Sequence, residues 1–323
     1  MRTILYPPTI DWDFLFQRPQ QIFRQFSRNG WKVMYCNFKQ EVGKEHTQIE
    51  ENLFICHDWQ KLIDDKEFEV DVFFTSFPYY NFLPIKSKIV VWDCLDDFEL
   101  LDKYEGKMLN VSDLVFTTSD FLYNKQKDKH KNVVICKNAC SMDILENKSE
   151  IPEDLVAIKD IGKPMILFIG AMADWIDVEL LDLISKKYSL VIIGEELGSK
   201  CPKKSYFLGK KSYEELIKYF KFFEVGIIPF LHNKTTQAAS PVKMFEYMLG
   251  GLQVVSTDLP ECIGYNNVVR VSKNYREFLQ NMQLALIYHK KYKDEAIKFG
   301  LENTWEKRFA VMECEINKLL KEA

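Results

Sequence analysis

The sequence predicts an α/β protein made of two doubly wound, parallel-sheet domains in tandem. Three observations carry this. Short runs that are apolar on both alternating faces recur along the 323 residues, as strands covered by helices on both sides require. Amphipathic helical patterns separate most of them, which is the βαβ alternation. A polar, proline-bearing stretch over 143–163 divides the runs into two series and precedes a fresh strand at Met165.

In the first series, strands are expected at 3–6, 32–36, 53–56, 70–75, 89–92, 114–118 and 132–135, with a helix over 19–27. In the second, they are expected at 164–169, 190–193, 206–208, 225–229, 252–256 and 268–271. Helices are expected there over 177–187, 212–222 and 275–292. The division follows: residues 1–150 as an N-terminal Rossmann-like domain and 151–302 as a C-terminal one. Residues 303–323 are expected to form a helix packing back towards the first.

Composition narrows the class. Hydrophobic residues make up 47%, enough for ordinary cores, and the net charge of -4 argues against a general nucleic-acid binder. No apolar run approaches the roughly 18 residues of a membrane span. The first residues enter a strand directly, without a signal-peptide core. The 8 cysteines are scattered, and Cys136 and Cys140 lack a second matching pair, so buried thiols are expected rather than zinc. A cytoplasmic protein is expected. The run Lys125, Lys127, Lys129, His130, Lys131 fits a solvated helix end more simply than peripheral contact with anionic lipid heads.

The most informative segment is Ser240-Pro241-Val242-Lys243-Met244-Phe245-Glu246-Tyr247, closed by Gly250-Gly251. Ser240 reads as an N-cap, Pro241 as the first helical residue and the glycines as a stop. A helix N-terminus offers unpaired N–H groups and the positive end of a dipole, suited to a diphosphate. Lys243 in the first turn opposes that dipole, which an anionic ligand would explain. Glu246 could accept hydrogen bonds from the vicinal hydroxyls of a ribose. A surface helix packed on a sheet is the plain alternative.

Other candidates lie at strand ends, where ligands of such sheets bind. After the first strand, Asp11, Trp12, Asp13 and Arg18 are expected to line a cleft between the domains, with carboxylates for sugar hydroxyls and a ring for stacking; a loop whose aromatics fill a gap is the plain alternative. After the strand at 89–92, Asp93 is the carboxylate placed for chemistry. Asp96 and Asp97 also fit an acidic helix start. In the second series, Gly170 and Ala171 allow close backbone approach, Lys210 stands near phosphate, and Pro229 ends a strand. No G-x-G-x-x-G, P-loop, H-E-x-x-H or G-x-S-x-G occurs.

In their order these residues resemble retaining glycosyltransferases of the GT-B fold, family 4. The nearest group is the bacterial enzymes of cell-surface polysaccharide and teichuronic-acid-type synthesis. The resemblance rests on Trp12 with Gln17-Arg18-Pro19-Gln20, Trp92-Asp93-x-x-Asp96-Asp97, Ala139 to Asp143, and Gly170 through Trp175-Ile176-Asp177. It continues with Gly209-Lys210-x-x-Tyr213, Ile228-Pro229-Phe230 and Ser240-Pro241-x-Lys243-x-x-Glu246-Tyr247. It implies two Rossmann-like domains facing a central cleft.

The donor would be a nucleotide-sugar, UDP-linked before dTDP- or GDP-linked, with a glycan or lipid-linked acceptor and no cofactor or metal. Gly170, Ala171, Lys210, Pro229, Ser240, Pro241, Val242, Lys243 and Glu246 would bind the donor. Asp93, Lys243 and Asp13 would be catalytic, and Asp11, Trp12, Arg18 and Asp96 would face the acceptor. Three departures stand out. Ala238 replaces the earlier of two family glutamates, Asp93 replaces a histidine, and Gly170-Ala171-Met172-Ala173 lacks the usual Arg and Lys. A nucleotide-sugar epimerase of the same fold and a non-catalytic binding subunit are the alternatives.

Overall fold

The structure is a computed structural model that describes residues 1–39, 44–266 and 268–322. The elements run β1 (Thr3–Tyr6), α1 (Arg18–Arg28), β2 (Lys32–Cys36), β3 (His46–Glu50), β4 (Leu53–Cys56), α2 (Trp59–Asp64), β5 (Glu69–Thr75), β6 (Lys86–Cys94), α3 (Asp102–Val111), β7 (Leu114–Thr117), α4 (Asp120–Gln126) and β8 (Val133–Ile135). Then follow α5 (Asp143–Glu146), α6 (Glu153–Lys159), β9 (Met165–Ile169), α7 (Val178–Lys187), β10 (Ser189–Ile193), β11 (Tyr206–Phe207), α8 (Tyr213–Leu216) and β12 (Val225–Ile228). The chain ends with α9 (Lys234–Ala238), α10 (Val242–Leu249), β13 (Gln253–Thr257), α11 (Pro260–Ile263), β14 (Val269–Ser272), α12 (Tyr275–Glu302) and α13 (Trp305–Glu322).

Two compact units result. The first holds Met1–Asn138, Ala238–Ser240 and Trp305–Ala323; the second holds Ala139–Gln237 and Pro241–Thr304. In the first unit, the sheet order among the described residues is β3-β4-β2-β1-β5-β6-β7-β8. All pairings are parallel except β3 with β4, which is antiparallel and carries a bulge between Gln48 and Glu50. The chain winds outwards from β1 in both directions, so the switch point lies between β1 and β5. An aromatic core fills the space under α1: Tyr6, Phe23, Tyr35 and Phe74 pack with centroids 4.9–5.8 Å apart. Helix α13 joins this core through Phe309 against Phe26 at 5.0 Å, and Trp31 Nε1 donates to Glu313 Oε1 at 2.9 Å.

In the second unit the order is β11-β10-β9-β12-β13-β14, parallel throughout. Strands β9 and β10 are buried at every residue, which explains their unbroken apolar text. The switch point lies between β9 and β12. Packing there is close: a Cβ on Gly226 of β12 would stand 2.3 Å from the Tyr247 ring of α10, so only glycine lets α10 lie on the sheet.

Two expectations are corrected. The helix expected over 212–222 is broken into α8 and a 3-10 turn at Phe220–Phe222. Tyr219 is held by Asp154 at 2.8 Å and Phe220 packs on Tyr247, so adjacent side chains are anchored in different places. The helix expected to end at 292 runs on to Glu302.

Candidate functional site

In the second unit, the C-terminal ends of β9 and β12 and the start of α10 meet at the switch point, where open α/β sheets bind ligands. Helix α10 begins at Val242 with Pro241 in the cap position and no side-chain cap. Ser240 is therefore not the N-cap expected from the sequence. It belongs to the first unit, where its carbonyl accepts from Asn138 Nδ2 at 2.6 Å and its hydroxyl is buried without a hydrogen-bond partner. The first amides of α10 thus stay available to an outside acceptor.

Lys243 turns towards the end of β9. Its ammonium lies 4.5 Å from the Phe230 ring centroid and 5.4 Å from that of Phe168. Gly170 makes the room: a Cβ there would stand 3.1 Å from Nζ. Gly170 sits at φ +146°, and a Cβ on Gly194 would come 2.0 Å from the Gly170 carbonyl, so the turn needs glycine at both positions. Among the described residues, no carboxylate lies within ion-pair distance of the Lys243 ammonium. The residue keeps some accessible surface, but its charged end is enclosed by protein. Burial pulls its pKa from 10.5 down to about 8, only partly opposed by the charge of Glu246.

Glu246, one turn further on, is 5% exposed. Burial pushes its carboxyl from 4.5 up to about 7, against the Tyr213 hydrogen bond and the Lys243 charge. Tyr213 is a partner that the sequence gives only as part of a motif. Its hydroxyl and Glu246 lie on different elements, and nothing in the spacing joins them. Ala171 and Val242 are half-buried beside this corner. Pro229 is buried, and its carbonyl accepts from Asp177 N at 2.8 Å. Lys210 is exposed and its ammonium lies 3.7 Å from Glu195 Oε2.

The first unit overturns several expectations. Arg18 is buried, not a lining residue. Its Nε and Nη2 donate to the two oxygens of Asp93 at 2.8 Å each, and Nη1 donates to Lys137 O and Asn138 Oδ1. Asp93 is therefore spent in a bidentate pair and does not stand open as a catalytic base. Trp12 is 5% exposed and packs edge-on to Tyr35 at 5.1 Å, so the gap-filling account holds for it. The Asp11 carboxylate accepts from the Phe38 amide at 2.6 Å and shapes a loop. Asp13 is exposed. Burial, together with the Asp93 charge, pushes the Asp96 carboxyl up to about 6. Asp97, Asp102 and Glu105 converge, but Lys125 Nζ donates to Asp97 at 2.6 Å and Glu105 at 2.7 Å.

Two groups of α10, Glu246 and Lys243, make this unit's stability depend on pH between about 4.5 and 10.5. Between about 4.5 and 7 the folded state holds a proton on Glu246 that the unfolded chain releases, so stability falls as pH rises. Between about 8 and 10.5 the unfolded chain holds the extra proton on Lys243, so stability rises with pH. Each limb amounts to on the order of 3 kcal/mol at most. Urea midpoints of this unit's transition should pass through a minimum near pH 7–8 without ligand. Lys243→Met should remove the alkaline rise and keep the acid limb; an unchanged alkaline limb would refute the assignment.

Comparison with known proteins places this geometry. No protein-family model matches the chain. TuaH of Bacillus subtilis (strain 168), provisionally named a teichuronic acid biosynthesis glycosyltransferase, is 21% identical over 214 residues, or 53% of this chain and 51% of TuaH. The chain thus spans about half the length of that curated relative. Among solved structures, sucrose-phosphate synthase from Thermosynechococcus elongatus matches with a TM-score of 0.77 at 11% identity over 100% of both chains. HepE of Anabaena in complex with UDP matches at 0.69 and 10% over 100% of both chains. WaaG, a glycosyltransferase involved in lipopolysaccharide biosynthesis, matches at 0.66 and 11% over 98% of this chain and 99% of its own. Identities this low speak to architecture and leave the reaction open. With its two parallel-sheet units, the chain has the GT-B fold of glycosyltransferases.

Proposed function

We propose that this chain is a glycosyltransferase of family 4 type. It takes a sugar from a nucleoside diphosphate, UDP before dTDP or GDP, and passes it to a glycan or lipid-linked acceptor in cell-surface polysaccharide synthesis. The single observation that carries this is the Lys243 ammonium, enclosed in the first turn of α10 with no carboxylate among the described residues within ion-pair distance. Such a corner is short of one anion. HepE is described in complex with UDP, and a trehalose-6-phosphate protein from E. coli as bound with UDP-2-fluoro glucose, which supports the choice of a diphosphate.

In this reading the bond from the anomeric carbon to the diphosphate oxygen breaks, and a bond to the acceptor hydroxyl forms on the same face. The acceptor proton leaves with the diphosphate. Lys243 and the α10 dipole stabilise the charge gathering on the leaving group, so the scheme requires no metal ion. Glu246, freed from Tyr213 or sharing it, holds the ribose. The first unit receives the acceptor, with Asp96 its titratable carboxyl, at a cytoplasmic location. A binding subunit without turnover is the second reading, favoured by Asp93 being engaged by Arg18.

Differential scanning against UDP, dTDP and GDP tests the donor. UDP at one hundred times its Kd should stabilise the second unit by about 2.7 kcal/mol. No shift with any of the three would defeat the proposal. Nuclear magnetic resonance of the product's anomeric proton then reads retention, and binding without product would favour the subunit reading.

A further inference from the structure

Beyond the diphosphate corner, the same edge of the second unit carries a histidine–carboxylate pair that the scheme above does not use. His232 follows β12 and Asp258 follows β13, adjacent strands in the sheet. His232 Nε2 lies 2.5 Å from Asp258 Oδ1, so Nε2 carries the proton and donates it. That fixes the ring and leaves Nδ1 and the second carboxylate oxygen with no hydrogen bond to another described residue. Side-chain exposures of 48% and 29% keep both groups accessible. A surface pair this open contributes little to stability.

The backbone around the pair is braced. Thr257 Oγ1 donates to Phe230 O at 2.8 Å, and Leu231 N donates to Trp175 O at 2.8 Å. Thr236 Oγ1 donates to Leu231 O at 2.6 Å, and the Asn233 side chain accepts from Thr236 N. The loop is therefore held while its His–Asp tip faces water, as in a preorganised contact.

Its position gives the ligand class. Lys243 Nζ lies 4.5 Å from the ring of Phe230, which stands two residues before His232 in the loop after β12, while Glu246, one turn further along α10, meets Tyr213 of α8. With the ribose at Glu246 and the diphosphate at Lys243, the transferred sugar would extend beyond Lys243, and the loop that carries Phe230 and His232 is the segment that borders Lys243 there. We infer that His232 and Asp258 grip adjacent hydroxyls of the transferred sugar and set donor-sugar specificity. This rests on the donor reading of the same unit.

Isothermal titration of the full chain with UDP, UDP-glucose, UDP-galactose and UDP-N-acetylglucosamine tests it. At least one UDP-sugar should bind wild type more tightly than UDP. In His232→Ala and Asp258→Asn, the Kd for UDP should stay within about twofold while that UDP-sugar weakens at least tenfold, a loss of about 1.4 kcal/mol. Circular dichroism and melting point should match wild type. Equal weakening of UDP and UDP-sugar, no change in either, or no tighter binding of any sugar by wild type would overturn the inference and leave the diphosphate site standing. Wild type binding none of the four would remove the donor reading itself.

Discussion

Lys243→Met should cut turnover by about 10²–10³, the loss seen when one preorganised group facing transition-state charge is removed. UDP affinity should fall with it, while the ligand-free fold survives. The reason lies in the environment of the ammonium. Its neighbours are aromatic rings, and its pKa has dropped to about 8 because enclosure penalises the charge. A methionine there keeps most of the packing volume and removes the desolvation cost, so the free protein should melt no earlier than wild type at pH 7. A structural lysine would behave in the opposite way, with an early melt and UDP affinity intact. Paired measurements of melting point and UDP titration separate the two.

The second large effect concerns folding. Arg18→Ala or Asp93→Ala should each destabilise the first unit by about 3–5 kcal/mol, because either leaves an unpaired charge in the interior. The side chains are only 3% and 2% exposed and meet through two hydrogen bonds. The double variant Arg18→Met with Asp93→Leu removes both charges and should recover most of that loss. Denaturant midpoints of the three variants check this. If Asp93→Ala lost activity with an unchanged midpoint, Asp93 would have to be restored as a catalytic group.

These two sites show what a linear text reveals. Strands β9 and β10 were legible because parallel strands buried on both faces are written as near-continuous apolar runs. Lys243 was legible because a cation in a first turn contradicts its own helix dipole, and the contradiction is local. The Arg18–Asp93 pair was not, since 75 residues separate partners that only the sheet brings together. Trp12 gave the wrong expectation because an aromatic at a strand end reads the same whether it stacks on a sugar or fills a core. Strand β3, His-Thr-Gln-Ile-Glu, went unseen: it is antiparallel, mostly exposed and polar, and has none of the apolar text of its neighbours.

That unseen strand has a consequence for how the protein behaves in a crowded solution. A bare sheet margin invites the backbone of another molecule to add itself and propagate a fibril. Here one margin ends in a charged, kinked ribbon. The opposite margin is the 3-residue β8, too short to template an incoming chain. Molecules meeting side by side find no ladder to extend, and the first unit should resist fibrillar growth even where its aromatic-rich interior is briefly exposed.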